Sequence, residues 1–284
     1  MLKNLCYHTH NFFCDGKSDM REMVLSAINH NVTHIGISSH APLKFPNEWN
    51  MKLSEIENYR QQIEQLQHEF NDKISIYKSL EIDYIPQHTY PFSFFTQKLS
   101  LDYTIGSVHI VRNPDNEKLW FIDGDKKQCL QSLNDVFYGD IRNAVETYFK
   151  QIAEMAQTQR PDIIGHFDKI VMNTSELFDI ESDWYREAVQ NTLSIIAKSN
   201  SILEINTRGL YKQKWHDTFP SKSILKLANQ LHIPIVISSD AHHSSEIIAS
   251  YDFAYSTAIE SGYSQEMMLV NHQWQPISIE KNIV

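Results

Sequence analysis

No stretch of the 284 residues holds 18 or more consecutive apolar side chains, so no membrane-spanning helix is expected. The apolar stretch in Met1–His8 is too short for a signal peptide and reads as a first strand, which points to the cytoplasm. Cysteine is scarce. Cys6, Cys14 and Cys129 form no CxxC pair, which argues against a disulfide framework and fits reduced thiols. Positive charge is short too: 25 Lys and Arg face 35 Asp and Glu, a formal net charge of −10. That balance argues against nucleic acid or a membrane surface as partner. A glycine-rich phosphate turn is missing, and so is a GxSxG nucleophile elbow.

What is present is an alternation of short apolar runs with amphipathic stretches. Candidate strands are Leu5–His8, His34–Ser39, Ile74–Ile82, Tyr103–Val108, Ile163–His166, Ile202–Asn206 and Ile235–Ser239. Helical patterns fall at Asp19–Asn29, Leu53–Phe70, Ile141–Gln157, Ser182–Ser199 and Ser221–Leu231. Asp19 and Ser221 stand where helix caps belong, and Pro161 and Pro234 precede strands. The order implies parallel βα units in one α/β domain, residues 1–284. Seven such strands suggest a closed or nearly closed barrel, with an open doubly wound sheet as the alternative. Two connections are long: Asp83–Leu101 and Ile110–Asp140, both rich in aromatics. They read either as lids over a site or as packing on the exterior.

Histidine is plentiful, with 14 copies. Its placement carries more than its number. His8 ends the first strand and His10 follows. His40 follows the second, Glu81 lies near the end of the third, and His109 follows the fourth. His166 ends the fifth, and Asp240 and His242 follow the seventh. In a parallel barrel these ends meet on one face. The pairs His8/His10 and Asp240/His242 sit at i and i+2, which shares a face in extended chain. Imidazole with carboxylate suits zinc, manganese or iron. His30, His34, His68, His88, His216, His232 and His272 scatter elsewhere and serve as the control.

The stretches HTHNFFCDG (8–16), GISSHAP (36–42), KSLEIDY (78–84), IGSVH (105–109), IIGHFD (163–168), LEINTRG (203–209) and ISSDAH (237–242) resemble, in order, the polymerase-and-histidinol-phosphatase (PHP) family. The resemblance runs through essentially the whole chain and is strongest to its monofunctional histidinol-phosphatase branch. It implies a distorted (β/α)7 TIM-like barrel with three divalent ions (Zn, Mn or Fe) at the carboxyl ends of the strands. Carried over by motif, one ion takes His8, His10, Glu81 and Asp240. A second takes Glu81, His109 and His166. A third takes Asp15, His40 and His242. Many family members have histidine where this chain has Asp15.

The reaction so implied is hydrolysis of L-histidinol phosphate, a small-molecule phosphate ester, to L-histidinol and phosphate in histidine biosynthesis. The nucleophile would be a bridging water near Glu81, with Asp240 its companion. Arg208, after the sixth strand, is assigned to phosphate, and Asn206 is a second substrate-binding candidate. Asp168, two residues past His166, is a catalytic candidate with three open roles: orienting a ligand, protonating the leaving alkoxide or holding the substrate amine. Tyr84, Phe92 and the Ile110–Asp140 stretch hold candidates for the imidazole. Two other readings stand beside this one: a PHP-type phosphoesterase for nucleotides or other small esters, and a metal-binding domain without catalysis.

Overall fold

The apolar runs fold as strands in a computed structural model that describes residues 4–279. The outermost ends of the expected 1–284 domain, Met1–Lys3 among them, lie outside the described residues. The strands are β1 (Asn4–Cys6), β2 (Val32–Ile37), β3 (Ser75–Lys78), β4 (Glu81–Asp83), β5 (Ile105–Ser107) and β6 (Ile110–Arg112). They continue with β7 (Leu119–Phe121), β8 (Ile163–Ile164), β9 (Ile202–Asn206), β10 (Ile235–Ser238), β11 (Gln265–Val270) and β12 (Gln273–Ser278). β1-β2-β3 form one parallel sheet, and β10-β9-β8-β5-β4 a second. Beyond the strand ends, Thr9 bridges Ala241 and His40 bridges Glu81. The first bridge ties β1 to β10. The second ties the end of β2 to β4.

The expected strand Ile74–Ile82 is broken at Ser79 and Leu80. Its first part pairs with β2 and its second with β5, so one run serves both sheets. The Tyr59 hydroxyl fills the break, 2.8 Å from the carbonyls of Ile37 and Ser79. A buried hydroxyl there satisfies backbone groups that the interrupted ladder leaves over.

The helices fall where the periodicity puts them. Met20–Asn29 starts at Asp19 with a capping box to Glu22. Leu53–Glu55 is a 3-10 turn that runs into the helix Ile56–Glu69. Ile141–Thr158 packs against Asp183–Ser199. Lys222–Gln230 starts after Ser221, whose side chain makes no cap bond. The connection Asp83–Leu101 holds the helix Phe92–Leu99, with Phe92, Phe95 and Leu99 buried in the main core. It is packing, not a lid. Ile110–Asp140 holds the hairpin β6-β7 and the helix Lys126–Phe137. It packs through Trp120 and Phe137, which are buried, while Phe121 stays 38% exposed.

Side-chain alternation layers the interior. On β9, Ile202, Glu204 and Asn206 share one face. Ile202 belongs to an apolar cluster with Leu5, Tyr7, Tyr103, Ile105, Ile163 and Val236. Met268, Leu269 and Trp274 of the β11-β12 hairpin cover that cluster. Each such aliphatic contributes roughly 1.5–3 kcal/mol by leaving water. Glu204 and Asn206 stand above it, toward the carboxyl ends. Gly165 keeps this middle layer narrow, because a Cβ there would lie 2.4 Å from Ser107 Oγ. Among the described residues no helix is long and apolar enough to cross a membrane.

Candidate metal centre

The strand ends carry their polar side chains to one point. His8 Nε2 lies 3.3 Å and His10 Nε2 3.4 Å from Glu81 Oε2, and His10 Nε2 is 3.2 Å from Asp240 Oδ1. Beside them, His166 Nε2 is 2.9 Å from Glu81 Oε1 and 3.0 Å from His109 Nε2. Further out, Asp15 Oδ1 is 3.3 Å from His242 Nε2 and 3.7 Å from His40 Nε2. His40 Nδ1 also approaches Glu81 Oε2 at 2.9 Å. Glu81 therefore touches the first two groups with its two oxygens. All nine ligands read from the sequence are here.

The donor set fits divalent ions. His8 Nε2, His10 Nε2, His40 Nδ1, His166 Nδ1, Asp15 Oδ1 and Asp240 Oδ1 are buried without a hydrogen bond of good geometry, although several lie close to one another. Orphaned buried atoms of this kind are costly unless something fills the space between them. Donors about 2.1 Å from a tetrahedral ion stand roughly 3.4 Å apart, the spacing found around Glu81 Oε2. Cys14 is adjacent but falls in none of the ligand groups; its thiol faces His10 Nδ1 at 3.4 Å.

Three residues unseen in the sequence reading aim these ligands. Glu204 Oε1 accepts from His8 Nδ1 at 2.6 Å, and its Oε2 accepts from the His166 N–H at 2.9 Å. Asp83 Oδ1 accepts from His109 Nδ1 at 2.7 Å. Ser107 Oγ donates to Glu81 Oε1 at 2.6 Å. Each imidazole so held turns the lone pair of Nε2 inward. His242 does the same by donating Nδ1–H to the Asp240 carbonyl, 3.0 Å away. Asp240 itself sits at φ +54°, a left-handed conformation that a non-glycine residue adopts at a cost.

Charge follows from this packing. Burial alone would raise the Glu81 carboxyl, but the His8, His40 and His109 imidazoles hold it well below the usual range. Burial is likewise outweighed at Asp240, by His8 and Arg208. Burial, with His242 and His40 beside it, pushes His10 well down, and burial with Lys169 lowers His166. His8 is raised against burial by Glu204 and Glu81. Its proton is one that an ion would displace, so ion affinity falls as pH falls.

The cluster floors a cavity of about 290 Å³, at the small end of small-molecule sites. Arg208 lines it, with Nη1 donating to the Asp240 carbonyl at 3.0 Å. Asn206 lines it too, yet its amide is engaged. Nδ2 donates to Glu204 Oε2 and Asp240 Oδ2, and Oδ1 accepts from the Arg208 N–H. Asn206 thus positions Asp240 from the cavity wall. Asp168 is not brought to the cavity. Its carboxylate accepts from the Ser221 N–H at 3.1 Å, and burial raises it to about 7. The Lys169 N–H bonds back to the His166 carbonyl, so the chain turns there and i+2 no longer shares a face. Lys169 lines the cavity instead, paired with Asp123. Tyr84 and Phe92 are buried in the main core, away from it. Trp49 and Phe121 form its aromatic wall. His243 caps an exposed 3-10 turn, as a spare histidine would.

A family model described as the PHP domain matches residues 6–208. The histidinol-phosphatase of Bacillus subtilis is 28% identical over 261 residues, covering 86% of this chain and 96% of that protein. A solved structure from Lactococcus lactis, histidinol phosphate phosphatase complexed with zinc, L-histidinol and phosphate, has a TM-score of 0.73 at 24% identity. It covers 97% of this chain and 100% of that one. A Listeria monocytogenes structure has a TM-score of 0.76 at 24% identity, over 87% and 98% of the two chains. These structural likenesses are likenesses of fold.

Proposed function

The chain belongs to the PHP domain family, and from that premise we propose that it hydrolyses L-histidinol phosphate to L-histidinol and phosphate. The convergence of nine candidate ligand side chains, six of them with orphaned buried atoms, carries the proposal. The two parallel sheets, bridged at Thr9–Ala241 and His40–Glu81, are read as one distorted (β/α)7 barrel in a single domain. Three ion positions are assigned: His8, His10, Glu81 and Asp240; Glu81, His109 and His166; Asp15, His40 and His242. Zinc, manganese and iron all suit this mixed set.

When bound, such ions lower the pKa of water and set positive charge against the phosphoryl oxygens. The chain's own residues do the rest. Arg208 presents a guanidinium to the phosphate, held in place by the Asp240 carbonyl and the Tyr211 hydroxyl. Glu204, Asp83 and Ser107 fix the ligands so that little reorganisation is needed during reaction. Ile110 and Phe121 of the hairpin β6-β7 and Trp49 line the cavity with apolar surface, where a bound ester would displace water. A phosphate ester the size of one amino alcohol suits the cavity. The relatives' names, the Lactococcus lactis complex and the net charge of −10 support a small-molecule partner over nucleic acid, and a place in the cytoplasm is part of the same proposal.

Assay of the purified protein with manganese or zinc tests this. The expected result is turnover of L-histidinol phosphate at least about tenfold above phenyl phosphate in kcat/KM, the ratio that about 1.4 kcal/mol of selective contact gives. Equal turnover of the two would remove the substrate claim.

A further inference from the structure

L-histidinol phosphate joins three groups in a small volume: a phosphate dianion, an ammonium on the carbon next to the ester methylene, and an imidazole. The ligand cluster and Arg208 account for the phosphate. The ammonium still requires an anion. Four carboxylates line the cavity: Asp15, Glu81, Asp123 and Asp240. Three of them belong to the ligand set. Asp123, in the turn after β7, does not.

The geometry points to Asp123 as the receptor of the substrate's ammonium, with Lys169 as the counter-ion it gives up when substrate enters. This rests on the histidinol-phosphate reading. Lys169 Nζ stands 2.8 Å from Asp123 Oδ2, and the two differ sharply in exposure, 6% for the lysine side chain and 37% for the aspartate. A lysine so deeply placed needs an anion at all times. Asp123 serves while the cavity holds only solvent. A phosphate dianion entering over the neighbouring Glu81 and His109 offers Lys169 a second anion. Asp123, the more accessible partner, is then free to take a cation from the same molecule. One ion pair becomes two, and the Lys169 pair is the more deeply placed of them, where charge-assisted bonds are strongest.

The surroundings fit the third group. Phe121, two residues before Asp123, meets Trp49 edge to face with ring centroids 5.9 Å apart. Both rings line the cavity that Asp123 lines. A planar imidazole can stack there while its neighbouring ammonium reaches the carboxylate.

The test compares L-histidinol phosphate with 3-(imidazol-4-yl)propyl phosphate, which lacks only the amine. Phenyl phosphate is the reference, and the enzyme is manganese-loaded. We expect kcat/KM to favour the amine-bearing ester by about 10- to 100-fold, the range of a charge-assisted bond. Asp123→Asn should bring that ratio to within a few-fold of one, and Asp123→Glu should keep most of it. An unchanged ratio in folded Asp123→Asn would overturn the assignment. So would an unmodified enzyme that prefers both imidazole esters to phenyl phosphate yet treats them alike; that result leaves the substrate reading intact. No preference for L-histidinol phosphate over phenyl phosphate would instead remove the substrate reading and this assignment with it. Should Asp123→Asn fail to fold, product inhibition of the unmodified enzyme decides. L-histidinol should inhibit at least several-fold more tightly than imidazolepropanol, and equal inhibition would overturn the assignment.

Discussion

Ile202 and Asn206 stand on the same face of β9, four residues apart, in different chemical surroundings. Ile202 is packed among Leu5, Tyr7 and Val236 under the β11-β12 hairpin. Asn206 bonds Glu204 and Asp240 beside the ligand cluster. The same contrast holds on β5, where Ile105 joins the apolar cluster and Ser107 donates to Glu81. The amino ends of these strands are closed by aromatic packing, with Tyr7 against Trp274 at 5.1 Å and Tyr103 against Trp274 at 5.6 Å. The carboxyl ends hold buried polar atoms that have no protein partner. One end contributes free energy to folding. The other costs it, and is where the proposed ions and substrate would bind.

Substitutions at the two ends should therefore separate activity from stability. Glu81→Gln is expected to act most strongly. It removes the carboxylate shared by two ligand groups, and kcat should fall on the order of 10²–10³-fold or more, measured at saturating manganese. Asp83→Asn and Glu204→Gln should weaken ion binding about 10- to 100-fold, read by metal titration, because the imidazoles they aim would turn. A loss of stability as large as the loss of activity in these variants would break the contrast.

At the closed end, Trp274→Ala should cost roughly 2–4 kcal/mol of unfolding free energy, measured in urea. Its kcat per folded molecule should stay within a few-fold of the parent. Glu266 on β11 gives the smallest and most specific effect. Burial raises its carboxyl to about 7, against bonds from Tyr255 and Ile237. A folded-state pKa above the unfolded one means stability present at low pH and lost as pH rises through the folded value. Between pH 4.5 and 7 the parent should lose on the order of 1–3 kcal/mol that Glu266→Gln does not lose. Parallel pH profiles for the two proteins would show that this carboxylate is not responsible.

The ligand end was the more legible in sequence, for a physical reason. An apolar run that ends in histidine or aspartate places that residue at a strand end, and parallel strands bring their ends together. His8, His10, Glu81, His109, His166, Asp240 and His242 were read this way, and family resemblance added His40 and Asp15. Glu204 and Asp83 were missed although a signal existed. Each is a charge inside an apolar run, LEIN and EID, and a buried charge must have a partner. Asp168 was misplaced because the period of two was carried past His166 into a turn. Asn206 was read at the right place, and its bond to Asp240 was not foreseen. Asp123, Trp49 and Lys169 lie in connections, where no periodicity tells which way a side chain points. The β11-β12 hairpin was unread, although Glu266, Met268 and Leu269 on β11 are buried. The break of Ile74–Ile82 depends on Tyr59, a contact between elements that local pattern does not record.

The most direct test of the central claim is a crystal structure of manganese-loaded protein with phosphate, recorded at the manganese edge. The account predicts anomalous peaks between His8, His10, Glu81 and Asp240, between Glu81, His109 and His166, and between Asp15, His40 and His242, with phosphate seated over them beside Arg208. Fully loaded protein with no anomalous peak among these side chains would contradict it.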